Sequence, residues 1–284
     1  MIVAREPEEL RDFFDGARRR GKSVGLHPTM GALHGGHRAN IAKMAAECDA
    51  GAVTIFVNPL QFGAGEDFAS YPRKLDADLA LAEEAGADLV FAPAPQVMFP
   101  EEPLARVSVA KLGEVLEGQH RPGHFDGVAT VVAKLLAIAG PCWAYFGEKD
   151  YQQLVLVRRL VADLSLPAVV VPCPTVRETD GLALSSRNTY LSPKEREAAP
   201  ALYWSLLAGK RAVEELGERN ATKVKGYMLE AAAREGLLEL DYAEVADPSS
   251  LAPVGSVSGE VRLLIAGRVG KTRLIDNVAA RPEE

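Results

Sequence analysis

Leu26-His27-Pro28-Thr29-Met30-Gly31-Ala32-Leu33-His34-Gly35-Gly36-His37 holds three of the five histidines of the chain. It follows a short apolar run, Ser23-Val24-Gly25-Leu26, that reads as a strand, and it enters a helical pattern over 37–48. Glycines 31, 35 and 36 let the backbone turn tightly and approach a ligand with no Cβ in the way. A helix start presents unpaired N–H groups and the positive end of its dipole, which suits an anion. His34 and His37, three apart there, can face one side, and imidazole N–H groups can donate to phosphate oxygens. A Gly-rich turn with surface histidines is the plainer alternative. Zinc lacks a cysteine or carboxylate nearby at ligand spacing. The dinucleotide fingerprint G-x-G-x-x-G is absent, because three residues separate Gly31 from Gly35.

Further strands are predicted at 51–57, 87–91, 143–146 and 168–171, with helices at 74–85, 124–139 and 151–163. Strands apolar throughout, separated by amphipathic helices, imply an α/β unit: a doubly wound parallel sheet covered on both faces. Its ligands should gather beyond the carboxyl ends of the strands. After about residue 175 the pattern changes. Ser192 and Pro193 open a helix running to about Leu216, a second helix covers 221–236, and strands follow at 238–246 and 260–267. Helices and then strands imply a smaller α+β domain, which gives domains of 1–175 and 176–284.

Lys+Arg 32 against Asp+Glu 39 leaves a formal charge of −7, so the chain lacks the basic footprint of a nucleic-acid or anionic-membrane binder. Composition is that of an ordinary globular protein, with 48% hydrophobic and 25% charged residues. Cys48, Cys142 and Cys173 lie in apolar runs, far apart and odd in number, which fits buried thiols in a reducing compartment. The first ten residues lack the apolar core of a signal peptide, and no uncharged stretch nears the ~18 residues of a membrane span. A cytoplasmic location is expected.

Several polar groups stand at predicted strand or helix ends. Asn58 and Gln61 follow the second strand, where an amide could serve hydroxyl and carboxylate groups of a substrate; Asn58-Pro59 is also a turn signal. Arg121 and His124 mark the entrance to the helix at 124–139, where His124 could simply cap it. Gly147-Glu148-Lys149-Asp150 precedes the helix at 151–163; Lys149 offers a charge to phosphate, and Asp150 with Gln153 could form a capping box. Ser185, Ser186 and Arg187 suit a polyphosphate, or an ordinary polar interdomain loop. Gly267–Thr272 imitates the end of a P-loop, but Ile265 stands where the first glycine is required. That segment reads as a turn between terminal strands.

His34-Gly35-Gly36-His37 resembles the H-x-G-H signature of the nucleotidyltransferase superfamily, shared with class I aminoacyl-tRNA synthetases. Pro28–His34 is similar to the pantoate–β-alanine ligase family in particular. So, in family order, are Phe56–Phe62, Arg121–Phe125, Tyr145–Gln153, Leu184–Asn188 and Arg273–Asn277, so the resemblance covers nearly the whole chain.

It implies a Rossmann-like first domain and ATP-dependent joining of pantoate to β-alanine through pantoyl adenylate, with AMP and pyrophosphate released. ATP would meet Met30, Gly31, Ala32, Leu33, His34, Gly35, Gly36, His37, Gly147, Glu148, Lys149, Asp150, Val176, Leu184, Ser185, Ser186 and Arg187. The catalytic set within it would be His34, His37, Lys149, Ser185, Ser186 and Arg187, with His37 as proton donor. Pantoate would meet Asn58, Gln61, Arg121, His124 and Gln153, and β-alanine would border Gln61. Mg²⁺ would bridge the phosphates mainly through water and substrate oxygens, with Asp78 and its neighbours as weak protein candidates and no dedicated metal site expected. A homodimer is implied, as is closure of the second domain over the first. Another adenylyltransferase, or a nucleotide-binding module without catalysis, would share the histidine pair.

Overall fold

The computed structural model describes residues 1–63 and 65–283. Its elements fall into two compact units, Met1–Glu148 with Leu156–Pro174, and Lys149–Val155 with Thr175–Glu284.

In chain order the elements of the first part are β1 (Ile2–Ala4), α1 (Pro7–Arg19), β2 (Val24–Thr29), α2 (Gly35–Glu47), β3 (Ala50–Ile55) and α3 (Leu75–Glu84). There follow β4 (Leu89–Phe91), α4 (Pro95–Met98), α5 (Glu117–His120), α6 (His124–Ala139), β5 (Cys142–Gly147), α7 (Tyr151–Asp163) and β6 (Ala168–Cys173). The six strands form one sheet in the order β1-β4-β3-β2-β5-β6, every pair parallel. Strands β2 and β3 are largely apolar and mostly buried, as the alternation implied.

From β2 the chain winds outward through β3 and β4, then returns to the other side of β2 as β5. The β2/β5 boundary is therefore the switch point where such sheets open a crevice. The β2–β3 ladder persists to Thr29/Ile55, whereas the β2–β5 ladder ends at Leu26/Ala144, so β2 and β5 part at their carboxyl ends.

Four elements of this unit had not been expected: β1, α1 and the single-turn helices α4 and α5. Glu6 and Glu9 form a capping box around Pro7, and Leu10, Phe14 and Ala17 bury one face of α1.

The second unit holds α8 (Pro193–Ala198), α9 (Ala201–Glu214), α10 (Ala221–Ala232), β7 (Leu238–Ala246), β8 (Val261–Val269) and β9 (Thr272–Ala280). The single helix expected from Ser192 to about Leu216 is two, because Pro200 has no N–H to continue the ladder and its ring crowds the preceding turn. Leu202, Leu206, Val213, Val224 and Met228 pack with Val245, Leu263, Ile265 and Leu274 of the antiparallel β7-β8-β9 sheet. The false P-loop is the β8–β9 hairpin turn, with Gly270 at φ +60°.

Candidate active site

The carboxyl end of β2 is held open by side chains. His27 is buried beside the interrupted β2–β5 ladder, and its Nδ1 lies 2.9 Å from the Tyr145 carbonyl. A carbonyl only accepts, so Nδ1 carries the proton and Nε2 is a buried lone pair with no hydrogen-bond partner. Burial pushes the His27 pKa down to about 4, against the carbonyl, which favours the cation.

Beyond Thr29 the loop departs from β2 with Gly31 at φ +85° and Ala32 at φ +52°. A Cβ on Gly31 would lie 2.9 Å from Asp78 Oδ2, so glycine is required by conformation and by space. Buried Asp78, on α3, accepts from Ala32 N (2.9 Å) and Leu33 N (2.7 Å). Burial raises its pKa, and these two donors pull it back. The clamp restrains a backbone that a non-glycine residue such as Ala32 rarely adopts.

The loop delivers His34 as the N-cap of α2. His34 Nδ1 accepts from Gly36 N (3.1 Å), and His37 Nδ1 accepts from His34 N (3.3 Å). This is a capping box built from two imidazoles, so the helix begins two residues before the expected 37. Both Nδ1 atoms are acceptors, which places the proton of each neutral ring on Nε2. The ring centroids are 4.1 Å apart, both rings are half-buried, and His37 lies 6.0 Å from His27.

Beside this loop, Gln61 Nε2 donates to Met30 Sδ at 2.9 Å, and Gln61 Oε1 accepts from Asn58 Nδ2 at 3.1 Å. Asn58 also receives Leu60 N and donates to Gly127 O, so its side chain both caps the turn and ties it to α6. Gly127 permits this: a Cβ there would stand 2.1 Å from Leu60 O.

The Arg121 guanidinium forks onto Glu66 (2.8 and 2.6 Å) and donates to His124 Nε2 at 3.0 Å, while His124 Nδ1 donates to Gln61 O at 2.8 Å. Burial, joined by the positive Arg121, pushes the His124 pKa down to about 4. Burial works to raise the Glu66 carboxyl, but Arg121 outweighs it and holds it below the ordinary range. His124 and Arg121 thus brace the Gln61 turn. At the end of β5, Gly147 and Glu148 are half-buried.

In the second unit, Lys149 Nζ lies 3.1 Å from Asp150 Oδ1, and the Lys149 carbonyl accepts from Asn277 Nδ2 at 2.8 Å. Gln153 is half-buried at the start of α7. Val176 O accepts from Leu184 N at 2.9 Å, leading into Ser185, whose Oγ caps the short turn Ser186–Tyr190 by accepting from Arg187 N at 3.3 Å. Arg177 makes a two-pronged ion pair with Asp276 (2.5 and 2.9 Å).

Asp78, Glu66 and Gly127 were not foreseen in these roles. Asp78 looks from sequence like a first-turn helix residue or a weak metal ligand. Among the described residues no three His, Cys, Asp or Glu side chains gather as a metal site, and both Asp78 oxygens serve backbone amides.

A parallel sheet open at its switch point, with a helix start there, is the architecture of a doubly wound α/β protein that takes its ligand at the carboxyl ends of the strands. The family model described as pantoate-beta-alanine ligase matches residues 2–279. Pantothenate synthetase of Rubrobacter xylanophilus is 50% identical over 285 residues, covering 98% of this chain and 98% of the relative. That of Aquifex aeolicus is 48% identical over 277 residues, covering 97% and 98%. Pantothenate synthetase of Thermus thermophilus superposes with a TM-score of 0.94 at 46% identity, over 99% of this chain and 100% of that one. The ligase of Francisella tularensis, solved with β-γ ATP and β-alanine, gives 0.80 at 33% identity, over 98% and 97%. The chain belongs to the pantoate-beta-alanine ligase family.

Proposed function

We propose that this ligase condenses pantoate with β-alanine at the expense of ATP. The pantoate carboxylate attacks the α-phosphorus, forming pantoyl adenylate and releasing pyrophosphate. The β-alanine amine then attacks the acyl carbon, giving pantothenate and AMP. Activation is needed because a carboxylate oxygen is a poor leaving group. The observation that carries the reading is the His34/His37 cap at the start of α2, just beyond the carboxyl end of β2, in which both Nδ1 atoms accept backbone N–H groups.

In this reading Met30 to His37, with Gly147 to Asp150, Val176 and Leu184, bind ATP. His34, His37, Lys149, Ser185, Ser186 and Arg187 stabilise charge growing on the phosphoryl oxygens, where loss of one placed donor typically costs ~10²–10³ in rate. His37 supplies a proton to the departing group. Gln61 and Gln153 bind pantoate, Gln61 borders β-alanine, and Asn58, Arg121 and His124 shape the Gln61 turn. Mg²⁺ would arrive as the counter-ion of ATP, held by phosphate and water.

Residues 1–175 bind ATP and pantoate in this account, and residues 176–284 add Ser185, Ser186 and Arg187 on closing. Compaction in small-angle scattering with an ATP analogue and pantoate is its measurement. A homodimer is part of the same proposal, supported by the exposed cross-strand neighbours Trp143 and Val169 at the β6 edge of the sheet. So is a cytoplasmic location, supported by three buried free cysteines; no helix among the described residues is long and apolar enough to cross a membrane.

ATP–pyrophosphate exchange tests the chemistry. Exchange that requires pantoate and proceeds without β-alanine is expected. Exchange independent of pantoate, or absent with it, would overturn the reading.

A further inference from the structure

We propose that Asn277 is a positioning residue that holds Lys149 for its work on the nucleotide; this rests on the reading that Lys149 meets the ATP phosphates. Asn277 is 3% exposed and stands on β9. Its Nδ2 donates to the Lys149 carbonyl at 2.8 Å, and its Oδ1 accepts from Arg262 Nε at 2.7 Å.

The Arg262 guanidinium in turn lies 3.9 Å over the Tyr151 ring, and the Tyr151 hydroxyl donates to Pro248 O at 3.0 Å. Residues 149 and 151 are therefore gripped from the terminal sheet at two points, one backbone and one aromatic. Next along β9, Asp276 takes both prongs of Arg177 and accepts from Asn277 N at 2.7 Å, which fixes the base from which the amide reaches.

Lys149 lies in the single tight turn Glu148–Asp150 that precedes α7, so no long helical ladder fixes its backbone. A turn carbonyl needs only water to be satisfied; a buried amide arriving from 128 positions away does more. It pins the root of a long, flexible side chain, which limits the arc its ammonium sweeps and lowers the entropy lost when the ammonium is held against phosphate. Arg273–Asn277 thus gains a function that its sequence did not disclose.

The test is pantoate-dependent ATP–pyrophosphate exchange combined with thermal melting. Asn277→Asp keeps an acceptor for Arg262 but has no donor for the Lys149 carbonyl. It should lose about 10-fold in exchange rate, with a smaller fall in Tm than Asn277→Ala because the Arg262 contact is kept. Asn277→Ala breaks both bonds and should show the same loss of rate with a lower Tm. In a Lys149→Ala background neither substitution should lower the rate further.

Full activity in either folded variant would overturn the proposal. So would losses that multiply with that of Lys149→Ala, or that track Tm across the two variants. Lys149→Ala alone checks the parent reading separately, since an unimpaired Lys149→Ala enzyme refutes the role of the lysine itself.

Discussion

Asp78→Asn removes one acceptor from the clamp on the loop that delivers His34. The asparagine is nearly isosteric, so its Oδ1 can still receive one of the two amides, Ala32 N or Leu33 N, while its NH₂ confronts the other. A hydrogen bond to a charged group contributes about 1.5–3 kcal/mol, and a buried N–H without an acceptor costs about 1–3 kcal/mol. These overlap, and the combined loss is roughly 2–4 kcal/mol. In a domain of this size that corresponds to a Tm lower by about 4–16 °C. The strain falls on Ala32, at φ +52°, two residues before the cap of α2. A shift of about 1 Å at the imidazoles would cost ~10²-fold in adenylate formation. Melting curves and exchange rates on the same preparation read both effects. A lowered Tm with undiminished exchange would show that Asp78 stabilises the fold without placing the histidines; no change in either would show that the clamp does not exist.

His27 and His124 are both held down to about 4 from 6.5, so the folded state refuses protons that the unfolded chain accepts. Their stabilisation is full above about pH 6.5 and is lost as pH falls towards 4. Between those limits the two together give a slope of up to about 2.7 kcal/mol per pH unit. Urea denaturation at stepped pH measures it; His27→Gln, which can still donate to the Tyr145 carbonyl, should halve the slope, and a flat curve would refute the burial argument. Gly127→Ala puts a methyl 2.1 Å from Leu60 O. It should cost about 1–3 kcal/mol and raise KM for pantoate more than KM for ATP, whereas an unchanged pantoate KM would detach the Gln61 turn from that substrate.

The parallel sheet was legible because strands buried on both faces read as largely apolar runs without polar alternation. Even α1 left a signal in Glu6, Pro7 and Glu9, but the spacing of Leu10, Phe14 and Ala17 had to be read with it. The split at Pro200 follows from proline chemistry that a continuous apolar period conceals. Site residues were legible where the chemistry is local: His34 and His37 act on each other within one helical turn. Asp78, Glu66 and Asn277 act across 45, 55 and 128 positions, and nothing local marks a residue for such a partner. Asn58 shows both: its turn signal accounts for the bonds to Leu60 and Gln61, but not for the one it donates to Gly127 O, 69 positions away.

The central claim is that two imidazoles, each accepting a backbone N–H at Nδ1, offer Nε2–H to the ATP phosphates. Nitrogen-15 NMR of histidine-labelled protein, titrated with ATP in the presence of pantoate, addresses it directly. The account predicts protonated Nε2 and unprotonated Nδ1 in His34 and His37 before addition, and movement of both Nε2 resonances to saturation with ATP. The opposite tautomer in either ring, or Nε2 resonances that ignore the nucleotide, would contradict it.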